Sequence, residues 1–360
     1  MNNMKRNITV LSALLVLCLY ACIGCSTPWS VSGNGKVVAR NFNFTGFTKV
    51  RVTCLMDVNI VQGDTFKVEA RLDDNLFDYF NVSMKGDTVH VAYKEGLFNL
   101  QGYTEAALFV TMPTLHNAYI SGSGKTTISG FKQLDNDMTL TNAGVGNMHI
   151  NVVANTLHTT LRHFGNIFLK GQAQKLVHTS DGPGLLQAGD FTAEDMNVSC
   201  THRGDAEITV SKSLNAFIDS TGSITAKGVA QNIQVTNSAF GTFKGAGLQT
   251  QQAIVDVSGP GTAEVTVQKS LQASISGTGD IIAHGTAEQV QLRSSGIGSL
   301  KALDLNAKKA VIECTGSGGA AISVSQELQV TGERRGTTIV YRGSPSRLNV
   351  SGNNTVKRIE

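Results

Sequence analysis

A glycine recurs at a near-constant interval through most of this chain, and few folds accommodate such a rhythm. From about residue 115 onward the marker is a Gly-rich corner. Examples are Ser121-Gly-Ser-Gly124, Asn142-Ala-Gly-Val-Gly146, Asp181-Gly-Pro-Gly184, Ser258-Gly-Pro-Gly261, Ser276-Gly-Thr-Gly279, Ser295-Gly-Ile-Gly298 and Thr315-Gly-Ser-Gly318. Weaker copies fall at Gly165, Gly204, Gly222 and Gly241. Successive last glycines are separated by 22, 19, 19, 20, 18, 19, 20, 18, 19 and 20 residues. Steps this regular mark a stack of repeated units.

Apolar residues around each corner alternate. Two and four residues after it stand pairs such as Met148/Ile150, Ile167/Leu169, Ile224/Ala226 and Ile281/Ala283. Six residues before it stand Ala118, Leu140, Val198, Val255 and Ile312, among others. Period-two alternation over short segments describes strands with one buried face. A third apolar position follows at Leu134, Leu176, Leu214, Ile233, Leu271, Val290 and Leu328. Each unit therefore reads as two short strands flanking a corner, plus a third apolar stretch. The expected fold is all-β, a right-handed parallel β-helix or solenoid of about 19–20-residue coils. One unit cannot bury its apolar face alone, so neighbours share a core. The corner glycines are expected to adopt positive φ, which costs glycine nothing sterically. An antiparallel meander or sandwich is the weaker alternative, because its hairpin signals such as Asn-Gly are rare here.

The flanks differ from the repeats. Aromatic residues concentrate between Phe42 and Phe109. Lys49–Val52, Phe66–Ala70 and Thr88–Tyr93 alternate as strands, and 73–80 reads as a short helix or turn. Bulky side chains suit a cap over an open solenoid end. The expected organisation is a signal peptide at 1–24, a tether at 25–39 and a β cap at 40–114. Solenoid repeats at 115–332 and a C-terminal cap at 333–360 complete it. Glu333, Arg334, Arg335, Arg342 and Arg347 are assigned to that last cap as solvated side chains.

Lys5 and Arg6 precede an apolar run from Val10 to Leu19. Ten residues are too few to span a bilayer, which needs roughly twenty, so the segment reads as an export signal. Leu19-Tyr20-Ala21-Cys22-Ile23-Gly24-Cys25 resembles the lipobox of bacterial lipoproteins. Lipidation is expected at Cys25, with Cys22 as the alternative. The partner so implied is a lipid membrane, reached through the acylated cysteine. The residues after Cys25 carry no acid, so a periplasmic face and the cell surface both remain open for an outer-membrane anchor. The formal charge is +3, and loss of Lys5 and Arg6 leaves about +1. That is too little for nucleic acid, whose phosphates demand a basic face.

Five segments in order carry a further likeness. They are Asn43-Phe44-Thr45-Gly46-Phe47-Thr48-Lys49-Val50, Val58-Asn59-Ile60-Val61-Gln62-Gly63-Asp64, Leu72-Asp73-Asp74-Asn75-Leu76, Leu108-Phe109-Val110-Thr111-Met112-Pro113-Thr114-Leu115 and Ile120-Ser121-Gly122-Ser123-Gly124. Together they resemble the putative auto-transporter adhesin, head GIN domain family. That resemblance implies a β-helix-like fold on an exported, often lipidated protein. It supplies no catalytic residues.

No catalytic, cofactor or metal site is expected. Ser121-Gly-Ser-Gly-Lys125-Thr126-Thr127 imitates a phosphate loop, but Tyr119 occupies the place of its first glycine and a strand follows. His163 and His202 share a register two coils apart, near Arg162, Asp181 and Arg203. Roughly 9.6 Å separates such coils, and Gly182 offers no intermediate ligand. Cys200 and Cys314 lie six coils apart as core residues, too distant for a disulfide. Neither they nor Cys54 has a neighbouring base. Asp190, Glu194, Asp195, Asp205, Glu207, Asp256 and Glu264 scatter over different registers, so no carboxyl pair for glycoside chemistry stands out. The expected function is non-enzymatic: an envelope lipoprotein with a binding or adhesin-like role, its candidate ligands a glycan or a protein. A periplasmic structural or assembly role and a carbohydrate-active enzyme are the alternatives. An exposed aromatic row would favour glycans.

Overall fold

The computed structural model describes residues 30–94, 99–332 and 337–360. It is a β-solenoid of about 13 turns, with coils about 19 residues apart. The repeat region pairs in parallel throughout, coil on coil, from Met148–Leu161 against Ile167–Ser180 to Leu300–Cys314 against Ala320–Gly332. The parallel ladder excludes the meander.

Each coil differs from the expected three-part unit. Strands of 13 to 16 residues run from one corner to the next, bending without breaking. Inward and outward residues alternate along them, as in Ser223–Asn237. Inward positions stack into columns, and one column holds Leu157, Leu176, Met196, Leu214 and Ile233. Each such side chain stabilises the fold by about 1.5–3 kcal/mol on leaving water. Leu134 departs from the expectation. It is exposed in the turn after Thr126–Gln133, where the chain leaves the ladder.

The corner glycines hold a different conformation from the expected one. None of Gly124, Gly146, Gly165, Gly184, Gly204, Gly222, Gly241, Gly261, Gly279, Gly298 or Gly318 has positive φ. Their constraint is close approach. A Cβ on Gly279 would fall inside the carbonyl oxygen of Gly261, and one on Gly298 inside that of Gly279. The same relation links Gly146 to Gly124 and Gly318 to Gly298. Amide donation ties the corners together. Gly261 N–H donates to Ala239 O at 2.8 Å, Gly279 N–H to Gly259 O at 3.0 Å and Gly298 N–H to Gly277 O at 3.1 Å. At two corners a buried asparagine supports the turn. Asn142 Nδ2 donates to Gly146 O, and Asn237 Nδ2 to Gly241 O.

Positive φ occurs instead at the mid-coil bend, in Gly171, Gly228, Gly285 and Gly343. These glycines recur every third coil, at intervals of 57, 57 and 58 residues. Below each lies a valine: Val152, Val210, Val267 or Val324. Above the first three lie Phe191, Leu248 and Leu305, all fully buried. Medium, absent and large side chains thus alternate along the column, so a bulky residue fills the space the glycine leaves.

The amino-terminal region uses eleven strands. They are β1 (Ser30–Ser32), β2 (Val37–Phe42), β3 (Lys49–Val52), β4 (Asp57–Gln62), β5 (Lys67–Asp73), β6 (Phe80–Lys85), β7 (Thr88–Tyr93), β8 (Asn99–Gln101), β9 (Ala106–Met112), β10 (Asn117–Ile120) and β11 (Thr126–Gln133). Sequence order and stacking order differ here. β3 lies between β7 and β10, and β4 between β9 and β11, all parallel. The chain makes its second coil first, then returns beneath it to build the terminal one. Antiparallel strands close that end: β2 on β5, β5 on β9 and β6 on β7. The 73–80 segment forms a 3₁₀ helix, Asp74–Tyr79, that buries Leu76 and Phe77. Phe47 against Phe66 and Phe80 against Tyr93 fill the space with ring centroids 4.9 and 5.0 Å apart.

Strands Thr338–Arg342, Arg347–Gly352 and Thr355–Ile359 carry the parallel ladder onward from Ala320–Gly332. Glu333, Arg334 and Arg335 lie outside the described residues, whereas Arg342 and Arg347 sit on these strands.

Close approach at the corner predicts a large effect of a single methyl. Gly279→Ala should lower unfolding free energy by about 2–4 kcal/mol, in the range of other severe packing lesions. Gly189→Ala, whose nearest atom would be the mobile Lys227 Nζ at 3.6 Å, should be nearly neutral. Thermal and urea unfolding followed by circular dichroism compare the two, and equal losses would refute the close-approach account.

Candidate functional site

Each sequence-derived candidate can be placed by its column in the stack. Ser121–Lys125 form a corner and Thr126 begins a strand, so the phosphate-loop likeness ends there. His163 and His202 are exposed on the same corner edge, and His202 Nδ1 accepts the Arg203 amide at 3.0 Å. Among the described residues no group of three His, Cys, Asp or Glu is arranged to hold a metal ion.

The acidic residues serve the ladder. Asp190 pairs with Lys170 at 3.1 Å and Glu194 with Lys212 at 3.0 Å, each one coil away. Asp205 accepts both the amide and the hydroxyl of Ser223. Asp195 accepts the Ser213 hydroxyl, and Glu264 meets His284 Nε2 at 3.0 Å. Glu207 and Asp256 stand on outward strand positions. These partners lie on adjacent coils, and the arrangement sets lysine, serine or histidine beside the acids.

Three cysteines are free and buried. Burial pushes the thiols of Cys54 and Cys200 up to about 12 and that of Cys314 up to about 11. A thiol so poised carries almost no thiolate at neutral pH and is a poor nucleophile. Cys22 and Cys25, with the rest of the signal segment, lie outside the described residues.

His178 was not singled out by sequence, because its interior position follows only from register. It stacks between Thr159 and Val198 and is fully buried. The Thr159 hydroxyl meets its Nδ1 at 2.9 Å, and its Nε2 has no partner. Burial pushes its imidazole down to about 3, so it stays neutral at physiological pH.

Two outer surfaces are organised over many coils. The first is a flat strand face. Asn197, Asn215, Gln234, Gln272, Gln291, Gln329 and Asn349 occupy one outward column, interrupted by Ile254 and Val311. Among the described residues none of these seven amides makes a side-chain hydrogen bond within the protein. At a coil spacing of about 4.8 Å the strip is roughly 38 Å long. The second is the corner edge. The residue just before each last glycine points to solvent, and this column holds Val145, Phe164, Phe240 and Ile297 at 57%, 73%, 72% and 66% exposure. Phe164 and Phe240 stand four coils apart, so they form no continuous aromatic row. The hollows on the surface are open grooves. One follows the corner edge past Leu55, Tyr119, Val145 and Phe164; another lies beside Leu134, Gln172 and Glu194.

The family model for the putative auto-transporter adhesin, head GIN domain matches residues 46–230, 217–287 and 279–345. The chain belongs to that family. The matches run from β3 through the solenoid ladder, so the family's sequence signal coincides with the coils. Similar solved structures include a putative adhesin from Bacteroides fragilis, at 14% identity and TM-score 0.44, covering 91% of this chain and all of the other. A putative adhesin from Parabacteroides distasonis has 22% identity and TM-score 0.42, covering 76% and 99%. A putative lipid binding protein from the same organism has 17% identity and TM-score 0.30, covering 92% and 100%. No curated protein matches the sequence. No helix among the described residues is long and apolar enough to cross a membrane.

Two predictions follow from the buried groups. An unfolded imidazole protonates near 6.5, whereas that of His178 resists protonation down to about 3. Between those values the unfolded chain binds a proton the native one does not. His178 therefore costs no stability above pH 6.5, and stability falls by about 1.4 kcal/mol per unit as pH drops through the window. His178→Val should flatten that part of the pH–stability curve; an unchanged slope would refute the assignment. The second concerns the thiols. Iodoacetamide at pH 8 should leave Cys54, Cys200 and Cys314 unmodified in the folded protein and alkylate all three in urea, as read by intact mass.

Proposed function

We propose that this protein is a non-enzymatic lipoprotein of the cell envelope, acylated at Cys25, that binds an extended partner along its solenoid. Cys22 is the alternative acylation site, and the anchor is in the outer membrane. The observation that carries the binding role is the strip of seven amides without internal partners. Each offers two donors and an acceptor, repeated at the pitch of the coils. Such a surface suits a polymer with polar groups at short regular intervals, a glycan or an extended protein segment. Open grooves and acids engaged by neighbouring coils support a binding surface over a catalytic cleft. Membership of the adhesin family supports the same reading and an envelope or surface location.

Asn215→Ala, Gln234→Ala and Gln272→Ala combined should weaken binding to a panel of envelope and host glycans at least about tenfold, since each lost hydrogen bond contributes about 0.5–1.5 kcal/mol. The unfolding midpoint should stay unchanged. Absence of glycan binding, together with protection from added protease on intact cells, would overturn the adhesive role in favour of periplasmic assembly. Acyl labelling should be lost in Cys25→Ser and kept in Cys22→Ser.

A further inference from the structure

The corner edge carries four of the most exposed large apolar side chains in one straight column, and the solenoid does not need them there. The same column accepts Ser123, Arg203, Thr278 and Ser317 at equivalent coils. Packing therefore does not explain Val145, Phe164, Phe240 and Ile297. At about 4.8 Å per coil they extend over roughly 38 Å, with Phe164 and Phe240 about 19 Å apart. Pro183 and Pro260 add rigid apolar surface between them. These side chains stand out into solvent from the corner, beside the groove past Leu55, Tyr119, Val145 and Phe164.

The exit of the chain toward the anchor lies at the end of this same edge. β1 pairs with β8, which is inserted between β7 and β9 in the terminal coil. The corner directly above is 53–56, where the Leu55 amide donates to the Tyr93 hydroxyl at 3.0 Å. Cys54 O and Met56 O in turn underlie Gly122 and Gly124. β1 is also pinned. Gly33 N–H donates to Gln101 O, Asn75 Nδ2 to Ser32 O, and buried Asp73 accepts the amides of Gly35 and Thr104. Four residues lie between Cys25 and Ser30, at most about 17 Å of extended chain.

We infer that the corner edge lies lengthwise on the membrane that holds the anchor, with Phe164, Phe240 and Ile297 in the boundary between headgroups and acyl chains. This inference rests on the lipid-anchor reading above. The corner edge sets Lys125, Arg162 and Arg203 among Asp57, Asp181, Asp205, Asp219 and Asp280, so its apolar column and the chain exit, and not its charge, direct it to lipid. The flat amide face is then left free for a partner while the edge rests on lipid.

The test uses the acylated full-length chain in vesicles of phosphatidylethanolamine and phosphatidylglycerol containing a lipid with a quencher on its acyl chain. Thr278→Cys on the edge and Gln234→Cys on the flat face receive a polarity-sensitive fluorophore. The native buried thiols stay unlabelled, and an acylated Cys25 is blocked. The edge label should shift to the blue and be quenched, and the face label should do neither. Phe164→Glu, Phe240→Glu and Ile297→Glu combined should abolish quenching while acylation keeps the protein on the vesicle. In an unacylated Cys22→Ser/Cys25→Ser chain, vesicle binding should fall about tenfold or more for each phenylalanine replaced. An acylated chain whose edge label stays in water overturns the inference and leaves the anchor standing. An edge label that enters the bilayer in wild-type chain lacking acylation overturns the anchor and keeps the edge. Quenching between edge labels that rises with protein concentration in lipid-free buffer would assign the face to a second copy and overturn the inference.

Discussion

The stack depends on how closely one corner backbone can approach the next. Parallel coils pair at about 4.8 Å, and the turn places a carbonyl oxygen of each corner where the next residue's Cβ would stand. Glycine at that position lets the amide of one coil reach the carbonyl of the coil below, as Gly279 reaches Gly259. Long strands, inward columns and outward ladders follow from coils held in register at this edge. One methyl there would wedge two coils apart and disturb every ladder that crosses them.

With register fixed, interior and surface divide cleanly. Inward columns accept any apolar residue whose volume suits its vertical neighbours, and the valine–glycine–large sequence along the bend column shows that volume is shared between coils. Asn142 and Asn237 enter the interior with hydrogen-bond partners at the corners; His178, whose Nε2 has none, is held in its neutral state. Antiparallel strands and aromatic rings close the terminal coil, covering the outer edges of β7 and β9 among the described residues.

The surface gives this scaffold its use. Ion pairs and capping carboxylates join neighbouring coils and engage Asp190, Glu194, Asp195, Asp205 and Glu264. The amide strip and the apolar edge are not consumed in this way. They face different directions, so one coil can meet two kinds of environment at once. Polar groups are spread along a face and not gathered in one recess, as a small-molecule site would have them.

The sequence by itself determined the coil period, the all-β class, the buried alternation and the family, because each is local or strictly periodic. Gly124 through Gly318 announced the corners, although close approach and not positive φ is their physical reason. The three-coil rhythm of Gly171, Gly228, Gly285 and Gly343 was also written there, hidden beneath the shorter period. Tertiary structure alone decided what depends on stacking. It placed β7 and β9 beneath strands that precede them in the chain, buried His178, and left Leu134 outside. It aligned Phe164 with Ile297 on one edge and Asn197 with Asn349 on one face. Residues more than a hundred positions apart fall on one such surface only once the register of every intervening coil is known.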